Sequence, residues 1–236
     1  MYHKNTKAMK ACHLILLFSI LLSLKGISQN DIFYRVRADF SIKEKSSEGK
    51  SSLTMGHVYY DKLKKKLLYN ILFPEKEIWL FKDTIQYKIK SASVDKKPLL
   101  PGFIDFSIFN LALNNNLKDY GLKKTMFSLK EVTKDQDMVI STWVPKKEYE
   151  KVLGEVKISI VNNRLNGVIF YDPAKKMIGK QIFSNYVNIK GFEFPSEILH
   201  IAFLKNGQEI HQLTTFKNIK VNDWNEASYY DYTIPR

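Results

Sequence analysis

Past residue 30 the chain offers three histidines, His57, His200 and His211, and no cysteine, since its one thiol is Cys12. These are the side chains that could hold a metal or shuttle a proton near neutral pH. Asn206-Gly207 reads as a two-residue hairpin loop, which sets Lys205 opposite Gln208 and Ala202 opposite His211. His200 then lies diagonal to His211 on the same face, while Leu199, Ile201 and Phe203 share the other face with Ile210 and Thr214. Diagonal neighbours stand too far apart to share an ion, no third ligand is spaced to join them, and His57 stands alone. No metal site is expected. Nor is there a G-x-S-x-G elbow, a P-loop, an H-E-x-x-H helix or a glycine fingerprint. Glu75, Glu77, Asp135, Asp137, Glu148 and Glu150 sit beside lysines in turn-forming stretches, where charge is solvated. The expectation is a protein without catalytic residues, metal or cofactor.

What remains is apolar surface, and strands carry most of it. From His57 to Lys90 four strands follow one another, broken by a lysine-rich turn, by Pro74-Glu75 and by Lys82-Asp83. Leu67, Tyr69, Ile71 and Phe73 share one side of their strand, and Ile85, Tyr87 and Ile89 one side of theirs. Glu77–Phe81 is apolar on both faces, so that strand is covered twice or lies centrally. Before this stretch, Arg35–Lys45 alternates, with Val36, Ala38, Phe40 and Ile42 to one side. After it the period changes. Gly102–Leu117 is the best helix of the chain; Phe106, Phe109 and Leu113 form one stripe, with Ile104, Ile108 and Leu111 beside it. A helix apolar nearly all round is buried on several sides or lies over an apolar hollow. Two readings stand, a movable lid and an ordinary core helix. Strands resume at Thr125–Val132, Met138–Val144, Glu155–Val161, Arg164–Tyr171, Met177–Asn188, Phe192–Leu204 and Glu209–Val221, with a primed turn at Asn162-Asn163. About ten or eleven neighbour-paired strands predict a mainly β fold: one strongly curved antiparallel sheet, an incomplete barrel, closed by a helical lid.

The opening residues are read apart from this fold. Lys4, Lys7 and Lys10 precede the apolar run Leu14–Leu24, and Gly26-Ile27-Ser28 supplies small residues for cleavage near Ser28/Gln29. That is the pattern of a secretory signal peptide over residues 1–29, followed by one domain over 30–236. The competing reading is an uncleaved membrane anchor, for which the run is short. Cys12 precedes the run, whereas lipid modification of an exported protein uses a cysteine after it, so no lipoprotein is expected. An exported domain without cysteines fits a bacterial periplasm. The leader holds four lysines and no acid, leaving 33 basic against 24 acidic residues, or +9. Such charge favours anionic headgroups, an anionic membrane surface or an acidic envelope protein. It equally serves to keep a strand-rich surface soluble. Lysines dispersed over turns in an exported chain argue against nucleic acid.

Several stretches resemble the bacterial outer-membrane lipoprotein carrier and receptor superfamily (LolA/LolB-like). They are Gly56-His57-Val58-Tyr59-Tyr60, then Leu67-Leu68-Tyr69-Asn70-Ile71 running to Phe73-Pro74, and Ile85-Gln86-Tyr87. Near the end, Phe216–Asn222 followed by Tyr230, Tyr232 and Ile234-Pro235 resembles the closing segment of that family. The resemblance implies a half-open barrel whose concavity holds acyl chains, with Tyr59, Leu67, Tyr69, Ile71, Leu80, Tyr87, Phe106, Phe109 and Leu113 lining it. It implies a periplasmic carrier for a lipoprotein or lipid, the alternative being an envelope interaction or sensing module with a side-chain-filled concavity and no lipid cargo. Three features depart from the family. The first strand begins soon after Gln29, where the family places a long amphipathic helix. The lid-tethering arginine of the carrier has no equivalent, its place falling near Leu63, between Lys62 and Lys64. The cysteine signature of the anchored receptor is missing.

Overall fold

Residues 33–91, 93–100 and 102–235 are described by a computed structural model. Within it, thirteen strands form one sheet in which every neighbouring pair runs antiparallel. The expected leader lies outside the described residues. No helix among the described residues is long and apolar enough to cross a membrane.

The chain lays down β1 (Arg35–Lys45), β2 (Ser51–Asp61), β3 (Lys66–Phe73), β4 (Glu77–Lys82), β5 (Ile85–Lys90) and β6 (Ser93–Pro98) side by side. It then leaves that edge, forms α1 (Ile108–Leu113), and starts again at the opposite edge with β7 (Phe127–Asp135). From there β8 (Met138–Pro145), β9 (Val156–Val161), β10 (Arg164–Tyr171), β11 (Met177–Ile189), β12 (Phe192–Phe203) and β13 (Glu209–Val221) return until β13 pairs with β1. The segment carrying α1 is thus the single connection between the two edges. It crosses one face of the sheet, and the sheet is open, with β6 and β7 unjoined. A last turn of helix, α2 (Ala227–Tyr230), follows β13.

Two sequence expectations need correction. The helix occupies six residues instead of the span Gly102–Leu117. Ser107 caps it, its Oγ accepting the Asn110 N–H at 3.3 Å, which satisfies an otherwise unpaired amide and fixes the start there. Asn115 in the left-handed region (φ 54) stops it at the other end. Apolar residues on either side are held in turns. Second, the β12–β13 loop has three residues, not two. Leu204 N–H donates to Gln208 O at 2.8 Å and Gly207 N–H to Leu204 O at 3.0 Å, with Gly207 at φ 84 supplying the left-handed residue such a loop requires. Pairing shifts by one: Ile201 faces His211 and His200 faces Gln212, so the two histidines lie on opposite faces. At Asn162-Asn163, by contrast, both residues have positive φ and the two-residue turn forms as expected, with Arg164 opposite Val161. The β6 strand was not foreseen, because Ser93–Pro98 carries one apolar side chain besides its proline.

Candidate functional site: the inner face and its helical cover

Strand parity divides the sheet into the face that meets α1, here the inner face, and its reverse. Val36, Ala38, Phe40 and Ile42 of β1 point inward, as do Val58 and Tyr60 of β2, Leu67, Tyr69 and Ile71 of β3, and Trp79 and Phe81 of β4. From the other half come Phe192, Phe194 and Ile198 of β12 and Phe216 of β13. Phe109 drops from α1 into this wall. Its ring stacks on Phe194 at 5.4 Å, meets Phe216 edge-on at 5.3 Å and lies 6.2 Å from Tyr60. It is 1 % exposed. Leu111 points to a second cluster with Tyr120, Trp143, Ile158, Leu165 and Phe183, so one short helix joins the cores of both halves. Full burial of such a ring contributes about 1.5–3 kcal/mol.

Polar contacts hold the helix. The Tyr60 hydroxyl donates to Asn110 Oδ1 at 2.8 Å. Asn114 Nδ2 donates to the same oxygen at 2.8 Å. Lys62, on the turn after β2, donates from Nζ to the Leu113 carbonyl at 3.2 Å, an acceptor left open at the helix C-terminus. Lys62 thus places a cation at this end of the cover, one residue from Leu63. The signal was a lysine-rich turn, which reads equally well as solubilising charge. Further along, Tyr120 donates to Gln181 Oε1 at 2.8 Å. Burial pushes its phenol up to about 12 against the opposing effect of that bond. Burial likewise raises Tyr60 and Tyr69 above the ordinary phenol range.

The cover is incomplete. On the inner face Ile42, Tyr69, Trp79 and Ile198 remain only partly buried, as do Phe106 and Ile108 of the connection. Trp79 Nε1 is out of contact with water and has no acceptor. Of the residues expected to line a cavity, Leu67, Tyr69, Ile71, Phe109 and Leu113 come together here, and Phe106 borders them, stacked on Tyr120 at 6.1 Å.

Tyr59, Leu80 and Tyr87 are placed elsewhere. Registers of β2 through β5 oppose Tyr59 to Leu68, Leu68 to Leu80 and Leu80 to Tyr87, and this row faces away from α1. It is roofed by the C-terminal segment. Tyr229 stacks on Tyr59 at 4.6 Å, Tyr230 meets it edge-on at 5.5 Å, and Tyr232 and Ile234 complete the cluster. β4 is indeed covered twice. Charge fastens this roof. The Arg35 guanidinium lies 4.4 Å from the Trp224 ring and 4.8 Å from the Tyr230 ring, while its Nε donates to Asp61 at 2.8 Å. Lys66 Nζ donates to the carbonyls of Tyr230 and Tyr232 at 2.8 and 2.6 Å, and burial, then Lys64, lowers its pKa. Arg37 and Tyr59 both donate to Glu226, each at 2.9 Å.

Among the described residues no group of three His, Cys, Asp or Glu side chains gathers as metal ligands. His57 is paired on the reverse face, Nδ1 to Asp39 Oδ1 at 2.6 Å, with Asn218 donating to the second carboxylate oxygen at 2.6 Å. Partial burial raises the Asp39 carboxyl, but the bonds from Asn218 and His57 outweigh it and hold the pKa below the ordinary range. The pair orients a ring at the junction of β1, β2 and β13.

An open antiparallel sheet folded over its own edge-to-edge connection defines a half-barrel protein with an apolar inner face. It is the fold of the LolA superfamily. A LolA superfamily protein from Nitrosomonas europaea superposes with a TM-score of 0.56 at 13 % identity, covering 83 % of this chain and 90 % of that one. A domain described as that of an outer membrane lipoprotein-sorting protein from Vibrio parahaemolyticus gives 0.59 at 12 %, covering 89 % and 95 %. A DUF1329 family protein from Desulfovibrio piger gives 0.56 at 13 %, covering 86 % and 91 %. No family model and no curated protein matches the chain.

Proposed function

We propose that this protein is an exported, periplasmic carrier that holds acyl chains of a lipoprotein or lipid on the inner face of its sheet. The observation that carries the reading is the incomplete cover: Ile42, Tyr69, Trp79 and Ile198 form apolar wall that α1 leaves partly open. Acyl chains gain about 0.8 kcal/mol per buried methylene, so such a wall supplies affinity without directional contacts. Movement of α1 would lengthen the site, since Phe109 occupies the space between Tyr60, Phe194 and Phe216 where a longer chain would lie. The lipoprotein-sorting description of the Vibrio neighbour agrees with this reading. Chemistry by acid, base or nucleophile has no part in it.

The same Phe109 contact favours a second reading. A ring 1 % exposed at the centre of the inner face suits a concavity filled by its own side chains, as in an envelope interaction or sensing module. Mass spectrometry of lipid extracted from the protein purified from its native envelope separates the two, together with uptake of a fluorescent fatty acid. Co-purified acyl lipid and saturable uptake support the carrier; absence of both overturns it in favour of the filled module.

A further inference from the structure

The reverse face is roofed over β2–β5 by the C-terminal segment, but across the other strands nothing comparable among the described residues covers it. There the registers align one row of directly opposed side chains through eight strands. It runs from Leu53 of β2 through Lys43, Leu213, Leu199, Ile182, Gly167 and Ser159 to Ile140 of β8. At about 4.8 Å per strand the row is roughly 34 Å long. The next row in, Ile42, Thr214, Ile198 and Phe183, faces the helix, which fixes the long row as outward-facing.

Two grooves open along this row. One of about 440 Å³ is lined by Leu53, Leu199 and Leu213 together with Lys43, Glu44, Lys45 and His211. The other, of about 310 Å³, is lined by Met138, Ile140 and Ile182 with Lys157 and Lys180. They adjoin, because Leu199 of the first and Ile182 of the second are directly opposed. Ile182 is 39 % exposed and Ile178, four residues before it, 47 %. His211 is partnered by Glu209 at 2.7 Å and Lys157 by Glu155 at 3.6 Å, whereas Lys43, Lys45 and Lys180 have no ion-pair partner among the described residues. Lys180 lies instead 5.9 Å over the Phe203 ring.

We infer that this face docks on an anionic phospholipid membrane. Unpaired lysines flanking a partly exposed aliphatic row give what such a surface recognises: ammonium groups for the phosphates and apolar side chains for the upper acyl region. This surface is separate from the inner face, and the inference stands whether or not that face carries cargo.

The test is co-sedimentation of the full chain with vesicles of 30 mol % phosphatidylglycerol in phosphatidylcholine, against vesicles of phosphatidylcholine alone. Preferential binding to the anionic vesicles is expected, falling at least tenfold in K43E/K45E/K180E and severalfold in I178S/I182S. A control with the same charge change on another surface, K146E/K147E/K151E, should bind within twofold of the parent. The leader is common to every variant and cancels in the comparison; circular dichroism and urea midpoints identify any variant that fails to fold. Equal binding to both vesicle types, equal losses in the two triple variants, or pelleting without vesicles that K43E/K45E/K180E abolishes overturns the inference. The last result would mark the face as a contact between copies of this chain.

Discussion

The Tyr60 hydroxyl and the Asn110 side-chain oxygen stand 2.8 Å apart, joining the C-terminal end of β2 to the helix that crosses the inner face. Tyr60 is fully buried as a residue and Asn110 half-buried, so water competes for this bond from one side only. Tyr60→Phe leaves Asn110 Oδ1 its bond from Asn114 and should destabilise by about 1 kcal/mol. In a double-mutant cycle with Asn110→Ala, measured by urea denaturation, the coupling should also be about 1 kcal/mol. If α1 moves to admit an acyl chain, Tyr60→Phe should in addition speed uptake of a fluorescent fatty acid. Unchanged uptake with the expected loss of stability would show α1 to be a fixed core element.

Lys62 tests the same helix from its C-terminal end. Its ammonium reaches the Leu113 carbonyl at 3.2 Å across part-exposed space, so the bond is worth less than the Tyr60 contact. Lys62→Met keeps the aliphatic stem and removes the donor; a loss of roughly 0.5–1 kcal/mol in the urea midpoint is expected. Lys62→Arg, which restores a donor, should recover most of it.

How far the sequence discloses this molecule depends on the element. Alternation in Arg35–Lys45 identifies its inward side chains correctly, because β1 is lined on one face only by apolar groups. The open antiparallel sheet and its helical cover follow from the count of paired strands and the change of period at Gly102. Alternation within a strand does not say which face of the sheet each side belongs to, and this is where Tyr59, Leu80 and Tyr87 go astray. β4 is apolar on both faces, so the faces on either side of it can be matched only through pairing: Leu80 to both Leu68 and Tyr87. A second cover, the C-terminal segment, also competes for those residues, and its aromatic run Tyr229–Tyr232 has no regular period to announce it. The loop at Asn206-Gly207 shows a sharper limit. Asn-Gly suits a two-residue turn, and Gly alone suits the three-residue one; the choice reverses the faces of every later pair.

Arg35 and Asp61 form the most deeply buried ion pair described here, with side-chain exposures of 10 % and 2 % at a separation of 2.8 Å. Removing one partner strands the other charge away from water, which costs about 3–5 kcal/mol. Arg35→Met should therefore lower stability by about that amount and also release the C-terminal segment, because the guanidinium sits between Trp224 and Tyr230. Hydrogen exchange should show the amides of α2 losing protection before those of β2. Arg35→Lys is expected to rescue little, since an ammonium lacks the planar contact with two rings. Arg35→Met together with Asp61→Leu should recover much of the loss, as an apolar pair carries no stranded charge.

His200 supplies a pH dependence of predictable sign. It lies on the inner face, its cross-strand neighbours being Gln181 on β11 and Gln212 on β13, two neutral amides that bring no compensating negative charge. Burial lowers its pKa below the ordinary histidine value. A histidine with a depressed folded pKa binds its proton more readily in the unfolded chain. Its contribution is therefore fully favourable above the unfolded value of about 6.5 and is lost as pH falls through it towards the folded value. Between about pH 7 and 5, above the range where most carboxylates titrate, the urea midpoint should decline. His200→Gln keeps a side chain of similar length beside the two glutamines and removes the titration, so its midpoint should stay flatter across that interval. Parallel curves for the two proteins would place the acid sensitivity on other groups.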